Sequence, residues 1–208
     1  MKHCYEDEAI HERRREDINS FDCDRGIIRL YGDISPKTVK EVNEFASDFN
    51  THPLGVGVLS PEGIIKKKAI WVEVMSSGGC VQSALAIYDI LTTAFPSFVD
   101  IYTSAVGYIS SSANLIYCAG TKRLALPSTQ FLLDKPVALM IDGTTNDFEL
   151  QADYVQRIQS HMTRVYSTVF KGAKGKKILT QLSNENQVLL SVEEALAVGL
   201  VTDIMGLE

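Results

Sequence analysis

Apolar positions along the chain alternate between strand-like and helix-like spacing. Ile27-Ile28-Arg29-Leu30-Tyr31 is a short β-rich segment that Gly32-Asp33 ends. Ser35-Pro36 then opens a helix, with serine as N-cap and proline at the first helical position. Val39, Val42, Phe45 and Phe49 give that helix one apolar stripe. Pro53, Gly55, Gly57, Pro61, Gly63 and the lysines from Lys66 make residues 51–68 a loop or exposed hairpin. A second strand, Ala69 to Met75, breaks at Ser76-Ser77-Gly78-Gly79. The helix beginning there carries Val81, Ala84, Tyr88, Leu91 and Phe95 at three- and four-residue spacing, and Pro96 ends it. The third strand is Phe98 to Val106. Gly107 leads from it into Ser110-Ser111-Ser112 and a short apolar helix, Ala113 to Ala119, closed by Gly120. Two more short strands fall at 122–126 and 130–133. From Asp147 to Phe170 a long helix bears Val155, Ile158, Met162, Val165 and Val169, a narrow stripe suited to packing against another helix. The last helix starts at Ser191, with Glu194 completing a capping box.

Strands alternating with helices predict an α/β domain with a mostly parallel sheet. The expected organisation is a charged N-terminal arm, 1–25, and one domain, 26–208, with a long helical protrusion at about 137–172. Residues 5–20, acids mixed with Arg13, Arg14 and Arg15, read as a solvated helix or mobile arm. With 208 residues and 45% apolar content the chain can bury a sizeable core. A net charge of −6 argues against a nucleic-acid or anionic-membrane surface. No run reaches the ~18 apolar residues of a membrane span, and nothing near Met1 reads as a signal peptide, so the expectation is a soluble cytoplasmic protein. Cys4, Cys23, Cys80 and Cys118 form no CxxC pair and the histidines no HExxH, which leaves no metal or disulfide framework to assign. No cofactor is expected.

Two strand-to-helix junctions hold the candidate chemistry. Glycines at Gly78-Gly79 let backbone approach a ligand closely, and the N–H groups at a helix start attract anions. At Gly107-Tyr108-Ile109-Ser110-Ser111-Ser112 a serine sits beside free backbone donors. Together these are the parts of a nucleophile with an oxyanion hole. By themselves, tight turns and N-caps account for the same residues equally well.

Ser76-Ser77-Gly78-Gly79-Cys80-Val81, running on to Leu85-Ala86-Ile87-Tyr88-Asp89, resembles the "SPGGxV…AIYD" signature of the Clp protease proteolytic subunits, with Ser77 in place of proline. Gly107 to Ala113 resembles that family's "GxAASxA/G" nucleophile motif. Leu126-Pro127 with Pro136 resembles "LPxxxxxxHxP", and Thr145 to Asp153 the start of its handle helix. Leu190 to Ala195 with Gly199-Leu200 resembles the closing "MSAEEAxxxGLID". The similarity runs from about Ile27 to Ile204, every motif in order. It implies a ClpP/crotonase-type fold, the nucleophile position at Ser111, and an oxyanion hole from the N–H groups of Gly79 and Ser112. It also implies a heptameric ring, double by stacking, homo- or hetero-oligomeric with an active paralogue, fed by an AAA+ unfoldase.

The departures matter as much. The family's histidine position falls on Asp134 and its aspartate position on Gln187. Segment 51–68 is longer than the family norm, and the 96–107 region is longer by a few residues. His3, His11, His52 and His161 lie away from any position where a base belongs. Serine needs a base that later serves as acid, and imidazole does both because its pKa lies near working pH. A carboxylate near pKa ~4 is a much weaker base. The expectation is therefore a ring subunit that is proteolytically inactive or impaired. The alternative is a serine peptidase using Asp134 or Lys135 as an altered base, although adjacent strand residues cannot both face Ser111. An acyl-CoA enzyme of the crotonase type is a third reading, with no catalytic carboxylate pair or CoA signature behind it.

Overall fold

The computed structural model describes residues 19–51, 68–137 and 142–206. The arm before Asn19 and most of the 51–68 segment lie outside these residues. Eight described strands form one sheet, ordered β1-β2-β3-β4-β5-β8, with β6 pairing β4 and β7. They are β1 Ser20–Asp22, β2 Ile27–Leu30, β3 Lys68–Ser76, β4 Val99–Ser110, β5 Lys122–Ala125, β6 Gln130–Asp134, β7 Gln187–Ser191 and β8 Asp203–Ile204. The helices are α1 Pro36–Thr51, α2 Val81–Thr93, α3 Ala113–Tyr117, α4 Thr145–Val169, α5 Gly172–Asn184 and α6 Val192–Val198. Only β1–β2 and β6–β7 pair antiparallel. The sheet is mostly parallel, as the alternation of elements predicts.

Period-two burial along β3 explains the layering. Ile70, Val72 and Val74 are fully buried, while Trp71 and Met75 between and beyond them are each 40% exposed. The buried row packs with Val42, Phe45 and Phe49 of α1 and Ala84, Ile87 and Leu91 of α2 in one core. On the opposite face Ile27, Trp71, Tyr102 and Lys122 stand in one register row. The Trp71 and Tyr102 rings meet edge-on at 5.4 Å, and the Lys122 ammonium lies 5.4 Å from the Tyr102 ring centre.

β4 runs four residues past the expected end at Val106. Between Val74 and Ser76 of β3 the facing residues advance from Ala105 to Ile109, so β4 carries two extra residues there. Gly107, at φ +69°, takes up this bulge, which is why a residue that reads as a strand break lies inside a strand. The bulge also changes partners. Tyr102–Ala105 pair with β5, whereas Tyr108–Ser110 pair with β6.

α4 matches the expected long helix, and its burial is uneven. Ile158, Met162, Val165, Tyr166 and Val169 are buried, but Phe148, Leu150 and Tyr154 in its first half are 47%, 66% and 40% exposed. Arg123, 7% exposed, ties the C-terminal segment down by donating to the carbonyls of Gly120 (2.7 Å), Leu200 (2.8 Å) and Gly199 (3.0 Å).

Candidate active site

Ser111 follows the last residue of β4, in the turn that opens α3. Its φ of +53° makes it the one non-glycine residue with positive φ among the described residues. Such a conformation costs an L-residue about 1–2 kcal/mol. The surroundings hold it there. Its N–H donates to the Leu132 carbonyl at 2.9 Å, and the Asn114 amide donates to the carbonyls of Ser111 (3.1 Å) and Leu132 (2.8 Å).

The turn after β3 packs directly on this one. A Cβ on Gly78 would lie 2.8 Å from the Ser111 Cβ and 3.2 Å from the Ser112 nitrogen. Ser76 sets the turn, accepting from the Gly78 N–H at 3.0 Å and donating to the Gly32 carbonyl at 2.7 Å. The Ser112 hydroxyl donates to the Gly79 carbonyl at 3.3 Å. Among the described residues the backbone N–H groups of Gly79 and Ser112 donate to no backbone acceptor. These two N–H groups belong to the two turns that pack together at Ser111.

Asp134 and Gln187 come together as well. They are direct cross-strand partners on β6 and β7 and so share one face of the ladder. Gln187 is exposed; Asp134 is half-buried, with its Oδ1 buried and lacking a hydrogen-bond partner among the described residues. Burial raises the Asp134 pKa above the ordinary carboxylate value, and interaction with the Ser111 hydroxyl offsets this only in part. The Ser111 hydroxyl is thus near enough to act on the Asp134 carboxyl, though no hydrogen bond of good geometry joins them among the described residues. Lys135 points elsewhere: its ammonium donates to the Ser183 carbonyl at 2.8 Å at the end of α5. His161 lines a groove between α2 and α4 beside Leu85, Tyr88 and Arg157, apart from Ser111. His3, His11 and His52 lie outside the described residues. No described cluster of His, Cys, Asp or Glu is suited to a metal ion.

The raised Asp134 pKa carries a stability prediction. The folded state binds this proton more tightly than the unfolded chain, so ionisation costs stability at neutral pH and the cost disappears as pH falls through the folded pKa. Asp134→Asn should raise Tm at pH 8, and the gain should shrink towards zero as pH approaches the ordinary aspartate range. Thermal melts across that interval check it.

The model of the Clp protease family matches residues 58–208, close to three-quarters of the chain. The chain belongs to the Clp protease family. ATP-dependent Clp protease proteolytic subunits from Sorghum bicolor and Triticum aestivum are each 33% identical to it over 139 residues, 66% of this chain and 61% of theirs. That from Zea mays has the same identity and coverage. The chain thus spans about 61% of the length of the curated Clp relatives it matches. A ClpP1 point mutant from Listeria monocytogenes shares the fold, with a TM-score of 0.66 at 21% identity, covering 88% of this chain and 92% of that one.

Within this Clp-family site, reasoning from sequence passed over Ser76 and Asn114. Asn114 had a signal: it is the polar residue in the run Ala113-Asn114-Leu115-Ile116-Tyr117, and it is fully buried. A buried amide implies a dedicated set of partners. Ser76 sat inside a quoted motif without a role.

Proposed function

We propose that this chain is a ring subunit of an ATP-dependent Clp-type protease in which the nucleophile scaffold persists and proteolysis is lost or strongly impaired. One observation carries the reading: Ser111 keeps its strained turn against the Gly78-Gly79 turn, while the side chain offered to it is the carboxyl of Asp134. A carboxylate takes a serine proton poorly, and a protonated carboxyl cannot act as base at all. Gln187 supplies no charge to hold an imidazolium. In triads of known mechanism, loss of a member leaves roughly 10³–10⁴ over water, from the oxyanion hole and binding alone. The site reading is Ser111 at the nucleophile position, Asp134 and Gln187 at the base and orienting positions, and Gly79 and Ser112 as oxyanion donors.

A second reading, an active peptidase with Asp134 as base, draws support from the burial that raises the basicity of that carboxyl. Lys135 fits this role less well, because its ammonium is engaged at Ser183.

The exposed apolar residues of the first half of α4 and the Trp71–Tyr102 row support assembly through two surfaces. The proposed partners are further copies or an active paralogue in a heptameric, double-stacked ring, with an AAA+ unfoldase on its axis. The proposed setting is the cytoplasm; no described helix is long and apolar enough to cross a membrane. Light scattering at micromolar concentration should show particles of seven or fourteen subunits, from the chain alone or mixed with a Clp-type paralogue. A stable monomer under both conditions would contradict the ring.

A further inference from the structure

Beside Asp134 lies a cavity of about 10 Å³ between β6, α4 and α5, a size that takes one water molecule. Asp134, Lys135, Gln159, Thr163, Tyr166 and Ser183 contribute its polar lining. Three of these groups are already engaged. Lys135 donates to the Ser183 carbonyl at 2.8 Å, the Thr163 hydroxyl to the Gln159 carbonyl at 2.8 Å, and the Ser183 hydroxyl to the Leu179 carbonyl at 2.9 Å.

Two are not. Asp134 Oδ1 and the Tyr166 hydroxyl are both buried, and neither has a hydrogen-bond partner among the described residues. Tyr166 is 0% exposed and its ring stacks on Phe170 at 5.8 Å, so the phenol is held in place. Burial first, then the nearby Cys118 and Asp134, push the Tyr166 pKa up, so the phenol remains a neutral donor. Leaving a buried donor and a buried acceptor both unpaired at one cavity is costly, and a single bridging water satisfies both.

We propose that Tyr166 is a positioning residue for Asp134, donating a hydrogen bond through one buried water to Asp134 Oδ1. Tyr166 then reaches Asp134 from α4, while Gln187 stands at the family's orienting position on β7. This rests on the reading of Asp134 as the side chain offered to Ser111. A hydrogen bond received by a carboxylate favours its ionised form and lowers its basicity. Tyr166 therefore keeps Asp134 an acceptor towards Ser111 and makes it a poorer base than burial alone would.

The groups facing Asp134 are few enough for a clean test. Ser111 approaches from β4, Tyr166 from α4, and the neutral Gln187 from β7. Lys135 is turned to Ser183, and Cys118, on the α3 side of Tyr166, is a thiol pushed up to about 12 by burial. The experiment is a carbon-13 NMR titration of the Asp134 carboxyl in the full chain and in Tyr166→Phe, the resonance assigned by its loss in Asp134→Asn. Asp134 should titrate at higher pH in Tyr166→Phe than in the parent. Tm of that variant should fall by roughly 2–4 °C, the effect of losing one net hydrogen bond in a chain of this size. An Asp134 titration that does not move overturns the proposal, whatever happens to Tm. A higher Tm in Tyr166→Phe overturns it too, since removing an unpartnered hydroxyl relieves a burial cost. Peptide assays on the same samples keep the two questions apart: cleavage by the parent would contradict the impaired-protease reading without touching the titration result.

Discussion

Asp134→His combined with Gln187→Asp should give Ser111-dependent hydrolysis of short fluorogenic peptides, and Asp134→His alone should give almost none. The ladder of β6 and β7 is the reason. Residues 134 and 187 are direct partners, so the two new side chains would start from Cβ atoms about 4.5–5.5 Å apart on one face. That is the reach an aspartate needs to hold an imidazole Nδ1–H. At the other end, Ser111 is anchored to Leu132, two residues before position 134 on the same strand, which keeps the imidazole on the Ser111 side. With the imidazole alone, nothing fixes its tautomer, and in the trypsin-type triad that defect lowers kcat by ~10⁴. The double variant should therefore exceed the single one by about that factor in kcat, with KM little changed. Equal activity in both variants would show that Gln187 does not occupy the orienting position. Activity surviving Ser111→Ala would come from something other than this site.

The second large effect is expected at Gly79. Its φ is +142°, and a Cβ there would run into the Ile34 carbonyl oxygen and come within 2.8 Å of the Ile34 nitrogen. Ile34 cannot retreat, because it is bridged to the same turn: its N–H donates to Gly78 O and its carbonyl accepts from Cys80 N, both at 2.8 Å. Gly79→Ala should cost at least ~3 kcal/mol, a fall in Tm of roughly 6–12 °C. Gly107→Ala provides the contrast. That glycine also has positive φ, +69°, yet nothing lies within 4 Å of the added Cβ, so only the backbone cost of about 1–2 kcal/mol applies. Chemical denaturation of the two variants side by side measures the difference. Similar losses would mean that the close approach of Ile34 to Gly79 contributes little.

Most of the fold was legible because its parts follow local rules. The Ser35-Pro36 start of α1, the Ser191/Glu194 capping box and the strand from Ala69 to Met75 all stand in the structure. What was missed has physical causes. In β7, Val188 and Leu190 are buried while Leu189 between them is 61% exposed, so three consecutive apolar residues conceal the period of two. α5 begins with Gly172 and includes Gly175 and three lysines, a composition that reads as loop although Leu182 is buried. Val39 and Val81 of the predicted stripes are only partly buried, and Ile87 of α2 carries burial that no stripe assigned to it.

The site divides along the same line. Ser111, Gly79 and Ser112 stood out as parts of two glycine- and serine-rich junctions, and motifs assigned their proposed roles. Asp134 and Gln187 were legible only through motifs; their mutual contact depends on the register of a strand pair whose second member was not predicted. Tyr166 was hidden for another reason. The α4 stripe was read at two residues per heptad, and Tyr166 belongs to a wider buried face with Met162 and Val165. Its importance lies in one oxygen atom that pattern alone cannot place.

The account turns on whether Ser111 of the unmodified protein has a competent base. Purified protein, assembled and at neutral pH, should cleave short fluorogenic peptides no faster than its own Ser111→Ala variant. Robust cleavage by the unmodified protein that Ser111→Ala abolishes would contradict the account and make Asp134 the base of an active peptidase.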